Sequence, residues 1–161
     1  MKRTKVKGIA FAVVMCLFLG LPLVAAASAQ PLTTVKVNGE KLLGPEYFPD
    51  IVMLEAKAKM DGGSLVSGSG SVHGIVCGAT FFFELSEATV GASVDLKGTI
   101  IATNMGHHGF YGWLVGIDVE VKANLDGSNM HLILHDVPFP VDEENIVFLD
   151  LDFAGSGQVV L

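Results

Sequence analysis

The chain is poor in cysteine, in positive charge and in long apolar runs, and each scarcity excludes something. Its only cysteines are Cys16 and Cys77. Cys16 lies in an N-terminal apolar run that the mature protein is expected to lose, and a single remaining thiol cannot staple a fold internally. Cys77 sits in GIVCGATFFF among apolar neighbours with no adjacent charge to activate it, the setting of a buried, inert thiol rather than a nucleophile.

There is one long apolar run, Ile9 to Val24, preceded by Lys2, Arg3, Lys5 and Lys7 and followed by Ala27-Ser28-Ala29. That order reads as a secretory signal peptide, expected to be cleaved before Gln30, with an uncleaved anchor as the alternative, although the run falls short of the roughly 20 residues of a spanning helix. Val13-Val14-Met15 precede Cys16 where a lipoprotein signal would carry small residues. The expectation is a leader at 1–29 and one secreted domain at 30–161, extracellular or periplasmic, with no stable membrane span after cleavage.

Basic residues are scarce as well. The leader removes four of ten, leaving six against seventeen acids, a formal charge of −11. Such a chain is a poor partner for nucleic acid. From Asp118 onward nine acids stand against one base, Lys122, which reads first as a solvated surface. Catalytic signatures are also missing: no G-x-S-x-G, no H-E-x-x-H, no G-x-x-x-x-G-K-[ST], and DEEN lacks the spacing and glycine of a calcium hand. The domain contains no N-x-[ST] sequon.

What is present is alternation. Apolar residues recur with period two between turn residues, the pattern of an all-β chain. Strands are expected near 33–38, 51–60, 64–73, 75–85, 90–103, 111–124, 129–137 and 146–160. Gly39, Gly44, Pro45, Pro49, Asp61-Gly62-Gly63, Gly106, Gly109, Asp126-Gly127, Pro138 and Pro140 are read as the breaks. About eight short strands with tight turns imply a single antiparallel meander, closed as a barrel or folded as a two-sheet sandwich. Phe81-Phe82-Phe83 and Ile100-Ile101 are bulky on both faces, which suggests central or covered strands. The tract SGSGS at 67–71, with its echo AGSGQV at 154–159, is read as glycine-containing strand that helps a barrel bend rather than as linker.

The firmest local inference concerns Asp126-Gly127. A two-residue turn there sets Ala123 opposite Met130, Val121 opposite Leu132 and Val119 opposite Leu134, an apolar row that must be core. The other row then sets Lys122 opposite His131, Glu120 opposite Ile133 and Asp118 opposite His135. If the strand at 146–160 pairs next, Asp152 approaches His131. The outcome is a candidate face of Asp118, Glu120, His131, His135, Asp150 and Asp152, residue types that bind divalent cations or share protons. His131 and His135 are about 13 Å apart on a strand and cannot share one ion, whereas Asp150 and Asp152, about 7 Å apart, could bracket one with a cross-strand histidine. A divalent cation is therefore the only cofactor this face suggests, and ordinary His–carboxylate ion pairing is its simpler use.

The stretch NMGHHGFYGW at 104–113 is read as a hairpin tip. Adjacent His107 and His108 point to opposite sides of an extended backbone, and Tyr111 and Trp113 share a face on the next strand. Phe110, Tyr111 and Trp113, with Phe81 to Phe83, could line a small-ligand site or simply fill the core. The leading functional expectation is thus a non-catalytic binding module for an apolar or carbohydrate ligand. Its alternatives are a metal-dependent hydrolase or isomerase using the His/Asp face, and a structural envelope or matrix protein.

Overall fold

A computed structural model of the chain describes residues 32–44, 49–75, 79–104 and 114–161. The expected leader, Cys77, both tip histidines, Phe110, Tyr111 and Trp113 lie outside the described residues. The rest is eight antiparallel strands: β1 (Leu32–Leu43), β2 (Ile51–Asp61), β3 (Ser64–Gly74), β4 (Thr80–Val90), β5 (Ser93–Asn104), β6 (Asp118–Asn124), β7 (Met130–Pro140) and β8 (Ile146–Val160). Each pairs with its neighbour in sequence, and β8 returns to pair with β1, closing a barrel. Of the two architectures the alternation allowed, the barrel is the one formed, and closure leaves its body without an edge strand.

Alternation carries the interior. Val35 and Val37, Leu54, Phe81 and Phe83, Leu96 and Ile100, Val119 and Val121, Leu132 and Leu134, Leu151 and Phe153 all point inward and are buried. Eight strands enclose a space that side chains can just fill, and small inward residues sit opposite large ones. Ala58 pairs with Gly68, and Ala56 with Gly70, which pairs in turn with Phe83. A Cβ on Gly70 would strike the Phe83 ring. Gly155 and Gly157 of β8 face the β1 backbone so closely that a Cβ on either would meet the carbonyl of Asn38 or Lys36. Both Gly/Ser tracts therefore lie within strands, as expected, and serve close strand approach.

The outward rows carry Lys36, Glu55, Lys57, Glu84, Lys97 and Lys122. A lipid-spanning barrel has apolar rows outside and polar groups inside; this arrangement is the reverse. Among the described residues no helix is long and apolar enough to cross a membrane.

Several boundaries differ from the sequence reading. β4 starts at Thr80 and runs on to Val90, because the β4–β5 turn falls at Gly91-Ala92 and β4 carries register shifts at Phe82/Phe83 and Leu85/Glu87. β6 begins only at Asp118: Leu114 to Ile117 form a turn closed by the Ile117 N–H on the Leu114 carbonyl, with Gly116 at φ 95°. Gly39 is interior to β1, opposite Val52 and Gly155. β7 does not stop before Pro138: Pro138 and Pro140, its last residue, lie in its ladder opposite Phe148 and Ile146. Phe81 and Phe83 are core, whereas Phe82 and Ile101 are exposed on the outer face.

The β6–β7 register is the expected one: Val119↔Leu134, Glu120↔Ile133, Val121↔Leu132 and Lys122↔His131. Its turn is not. Gly127 N–H bonds the Asn124 carbonyl and Asn124 N–H bonds the Ser128 carbonyl, so three residues, not two, form the loop. Asn129, at φ 49°, is then an extra residue opposite Ala123. This one-residue bulge restores the register that a two-residue turn would have produced.

Candidate functional site

The outward rows of β6, β7 and β8 bring the predicted His/Asp face together, but as separate pairs. His131 Nδ1 lies 3.0 Å from Asp152 Oδ1 and 3.2 Å from Oδ2. Asp152 pairs with Ile133 in the ladder, so this is a diagonal contact, one step from direct opposition. His135 lies between two acids, with Nε2 3.4 Å from Glu120 Oε2 and Nδ1 3.5 Å from Asp150 Oδ2. Asp150 and Asp152 thus each take a different imidazole instead of sharing one.

The β7 bulge explains this placement. Between Leu134 and Val137 the ladder shifts, so that His135 and Asp136 together oppose Asp150. Asp136 takes the left-handed conformation, φ 49°, and its N–H donates to Asp150 Oδ1 at 3.0 Å. The Asp150 carboxylate therefore holds a strained backbone and an imidazole at once. Displaced from the ladder, His135 turns to Glu120 and Asp150. Asp118, expected opposite it, instead accepts from the Thr99 hydroxyl of β5 at 3.2 Å. Among the described residues no three His, Cys, Asp or Glu side chains are grouped so as to hold a metal ion.

Glu120 is the centre of the network. It is buried on the outer face and accepts from Lys122 Nζ at 2.7 Å. That hydrogen bond holds its carboxyl below the usual glutamate value against the opposing effect of burial, and the Lys122 and His135 charges add to it. The same bond raises the Lys122 ammonium. The β6–β7 and β7–β8 turns use acids similarly: hydrogen bonds from the Ser128 hydroxyl and N–H lower Asp126, and the Asn145 side-chain amide with the Glu144 N–H lowers Asp142. Chemically, the face is a chain of charge-assisted contacts that fastens three strands and a bulge.

Among the described residues, grooves on the barrel wall include two of note. One, of about 440 Å³, borders the His/Asp face and is lined by Lys97, Asp118, Glu120 and His135. The other, of about 640 Å³, crosses β8, β1, β2 and β3 and is lined by Lys36, Asn38, Glu55, Ser71, His73 and Gln158. His73 Nδ1 lies 2.9 Å from the Thr80 hydroxyl beside it.

A further feature was missed in the sequence. The last β6–β7 pair is Val119↔Leu134 and the last β1–β8 pair is Leu43↔Asp152, yet β7 and β8 continue pairing out to Pro140↔Ile146. Among the described residues, the hairpin thus continues as a two-stranded arm beyond the last ladder pairs of β1 and β6. Val137 and Phe139 on β7 are buried, whereas Ile146 (60%), Val147 (40%), Phe148 (62%) and Leu149 (45%) are exposed. Val147 and Leu149 share an apolar row with the buried Leu151 and Phe153; only the position of the rim separates them. Leu42, Leu43, Ile51, Ile75, Ile101 and Val115 are exposed toward the same end of the barrel. The signal that could have revealed the arm is four consecutive apolar residues following an acidic turn, too many for a strand with one wet face.

Comparison with known proteins finds no matching family model, no matching curated protein and no matching solved structure.

Proposed function

We propose that the chain is a secreted, non-catalytic binding module that takes an apolar ligand at the arm end of the barrel. The observation that carries this is the exposed run Ile146 to Leu149, apolar on both faces, in a protein whose remaining alternation buries its apolar rows. Contiguous exposed apolar surface costs solubility and marks interaction sites. The interior is the less suited place for a ligand, since Phe81, Phe83, Phe153 and their neighbours fill it. The acids and histidines that would serve a metal-dependent hydrolase are engaged in His–carboxylate contacts, in a hydrogen bond from Thr99 and in holding the bulge.

The test is a fluorescent apolar probe such as ANS added to the folded protein. Binding is expected, with most of the signal lost in an Ile146→Ser/Phe148→Ser variant whose urea midpoint matches the parent. An unchanged signal in that variant, or no binding by the parent, overturns the reading.

The polar groove across β8, β1, β2 and β3 supports a second reading, a carbohydrate ligand. Asn38, Gln158, His73 and Ser71 present planar and hydroxyl hydrogen-bonding groups along it, and the exposed Phe82 ring pairs with Ser71 at its margin. Calorimetry against a panel of oligosaccharides, repeated with Asn38→Ala and Gln158→Ala, decides it. Heats that the substitutions leave unchanged would place any sugar elsewhere.

A further inference from the structure

The two edges of the arm are not alike. Val141 N–H donates to the Asn145 carbonyl, and this bond sets the alternation of the hairpin: 139 with 147, and 137 with 149, turn their backbone groups toward each other. The alternate positions, 138 and 140 on β7 and 146 and 148 on β8, turn theirs outward. On β7 both outward positions are proline, which has no N–H to offer, and that edge is closed to a further strand. On β8 they are Ile146 and Phe148, each with an N–H and a carbonyl. Among the described residues no strand pairs with this edge.

Charge indicates what would fit. Asp142, Glu143 and Glu144 lie at the tip of the arm and Asp150 and Asp152 at its base, with no Lys or Arg from Leu134 to Val160. A second copy pairing antiparallel through the same edge, Ile146 against Phe148, would set Asp150 against Glu144 and Asp152 against Asp142. Like charges directly opposed disfavour that dimer. A segment with an apolar centre and basic ends meets complementary surface throughout.

We propose that the outer edge of β8 at Ile146–Leu149 receives an extended apolar peptide segment, flanked by Lys or Arg, as an added strand. Main-chain hydrogen bonds would supply affinity, alternate side chains contacting the arm would supply specificity, and the acids at tip and base would set the preference for basic ends. The inference rests on the arm being the apolar binding surface, and names its partner and mode.

The probe is a capped, labelled peptide of sequence KTVTVTK, followed by fluorescence anisotropy with the purified chain. Saturable binding is expected, at least ten-fold weaker for ETVTVTE, for a peptide N-methylated on alternate residues of its pairing edge, and for the Phe148→Pro variant. Residue 148 donates nothing to β7, so that proline leaves the β7–β8 ladder bonds in place while removing both an outward N–H and the exposed Phe148 ring; the N-methylated peptide, tested on the unmodified protein, isolates the main-chain contribution. If the N-methylated peptide binds as tightly as its parent, strand addition is overturned while apolar binding at the arm stands. Equal binding of the acidic peptide overturns the charge preference. Failure of KTVTVTK to bind a protein that still binds the apolar probe at the arm overturns the proposal alone; failure of both removes the wider reading too. A concentration-dependent dimer abolished by Phe148→Pro would assign the edge to a second copy instead.

Discussion

Replacing Gly157 by alanine tests whether the glycines of β8 are there for space. Gly157 faces inward beside β1, and its N–H donates to the Gly127 carbonyl of the β6–β7 turn at 2.9 Å. A Cβ built there collides with the Lys36 carbonyl and comes within 3.1 Å of the Met130 sulfur, itself fully buried. A side-chain end could move aside, but the carbonyl belongs to the β1–β8 ladder, so relief requires opening the seam that closes the barrel. The cost should lie at or above the upper end of the ~1–3 kcal/mol of ordinary overpacking. For a domain of this size each kcal/mol moves Tm by roughly 3–5 °C, so Gly157→Ala should lower it by on the order of 10 °C. Gly91→Ala is the control. It meets nothing within 4 Å and has no left-handed backbone, so it should be neutral or gain ~0.4–1 kcal/mol by restricting the unfolded chain. Urea titration with a constant m-value and a melting curve measure both. If the two variants fall within 1 kcal/mol of each other, the close-approach argument is wrong.

Two other outcomes follow from the ladder and the charge network. Deleting Asn129 removes a left-handed residue and its bulge while leaving Asn124 opposite Ser128 and Ala123 opposite Met130, so stability should change by less than ~1 kcal/mol; deleting Ile133 from the regular ladder turns buried rows outward and should cost ~3 kcal/mol or more. Equal damage from both deletions, read by urea midpoints, would refute the bulge account. Glu120→Gln should destabilise by roughly 1 kcal/mol at pH 7, the scale of a charge-assisted hydrogen bond discounted for solvent screening. Because the folded state holds the Glu120 carboxyl below its ordinary value, its contribution is complete above the unfolded pKa and fades as pH falls through the folded one, so the gap between parent and variant should narrow as the pH is lowered below the ordinary glutamate range. A gap that does not narrow as the pH is lowered through the acid range would deny Glu120 its part in the network.

Much of the fold was legible because β structure writes its pattern locally. Period two located most strands, and the β6–β7 register followed from matching apolar rows even though the turn was read as two residues. Burying Val119, Val121, Leu132 and Leu134 together decides the pairing, and the Asn129 bulge accommodates it. The β4–β5 boundary was missed because its turn rests on a lone Gly91 in an apolar neighbourhood. The candidate face was legible in part: His131 and Asp152 met as expected, while the Asp136 bulge turned His135 away from Asp118 and toward Glu120 and Asp150.

The sequence by itself determined the class of fold, the order of hairpins and which rows are apolar, since all of these depend on residues near one another in the chain. Only the tertiary structure decided that the sheet closes, because the β1–β8 seam joins residues more than a hundred positions apart and depends on a close approach that Gly155 and Gly157 permit. Closure also decided the fate of one continuous apolar row. Leu151 and Phe153 lie within the barrel and are buried, whereas Val147 and Leu149 lie past its rim and face water. The alternation is the same in both halves; among the described residues, β8 differs between them in having β1 beside it only as far as Leu43↔Asp152.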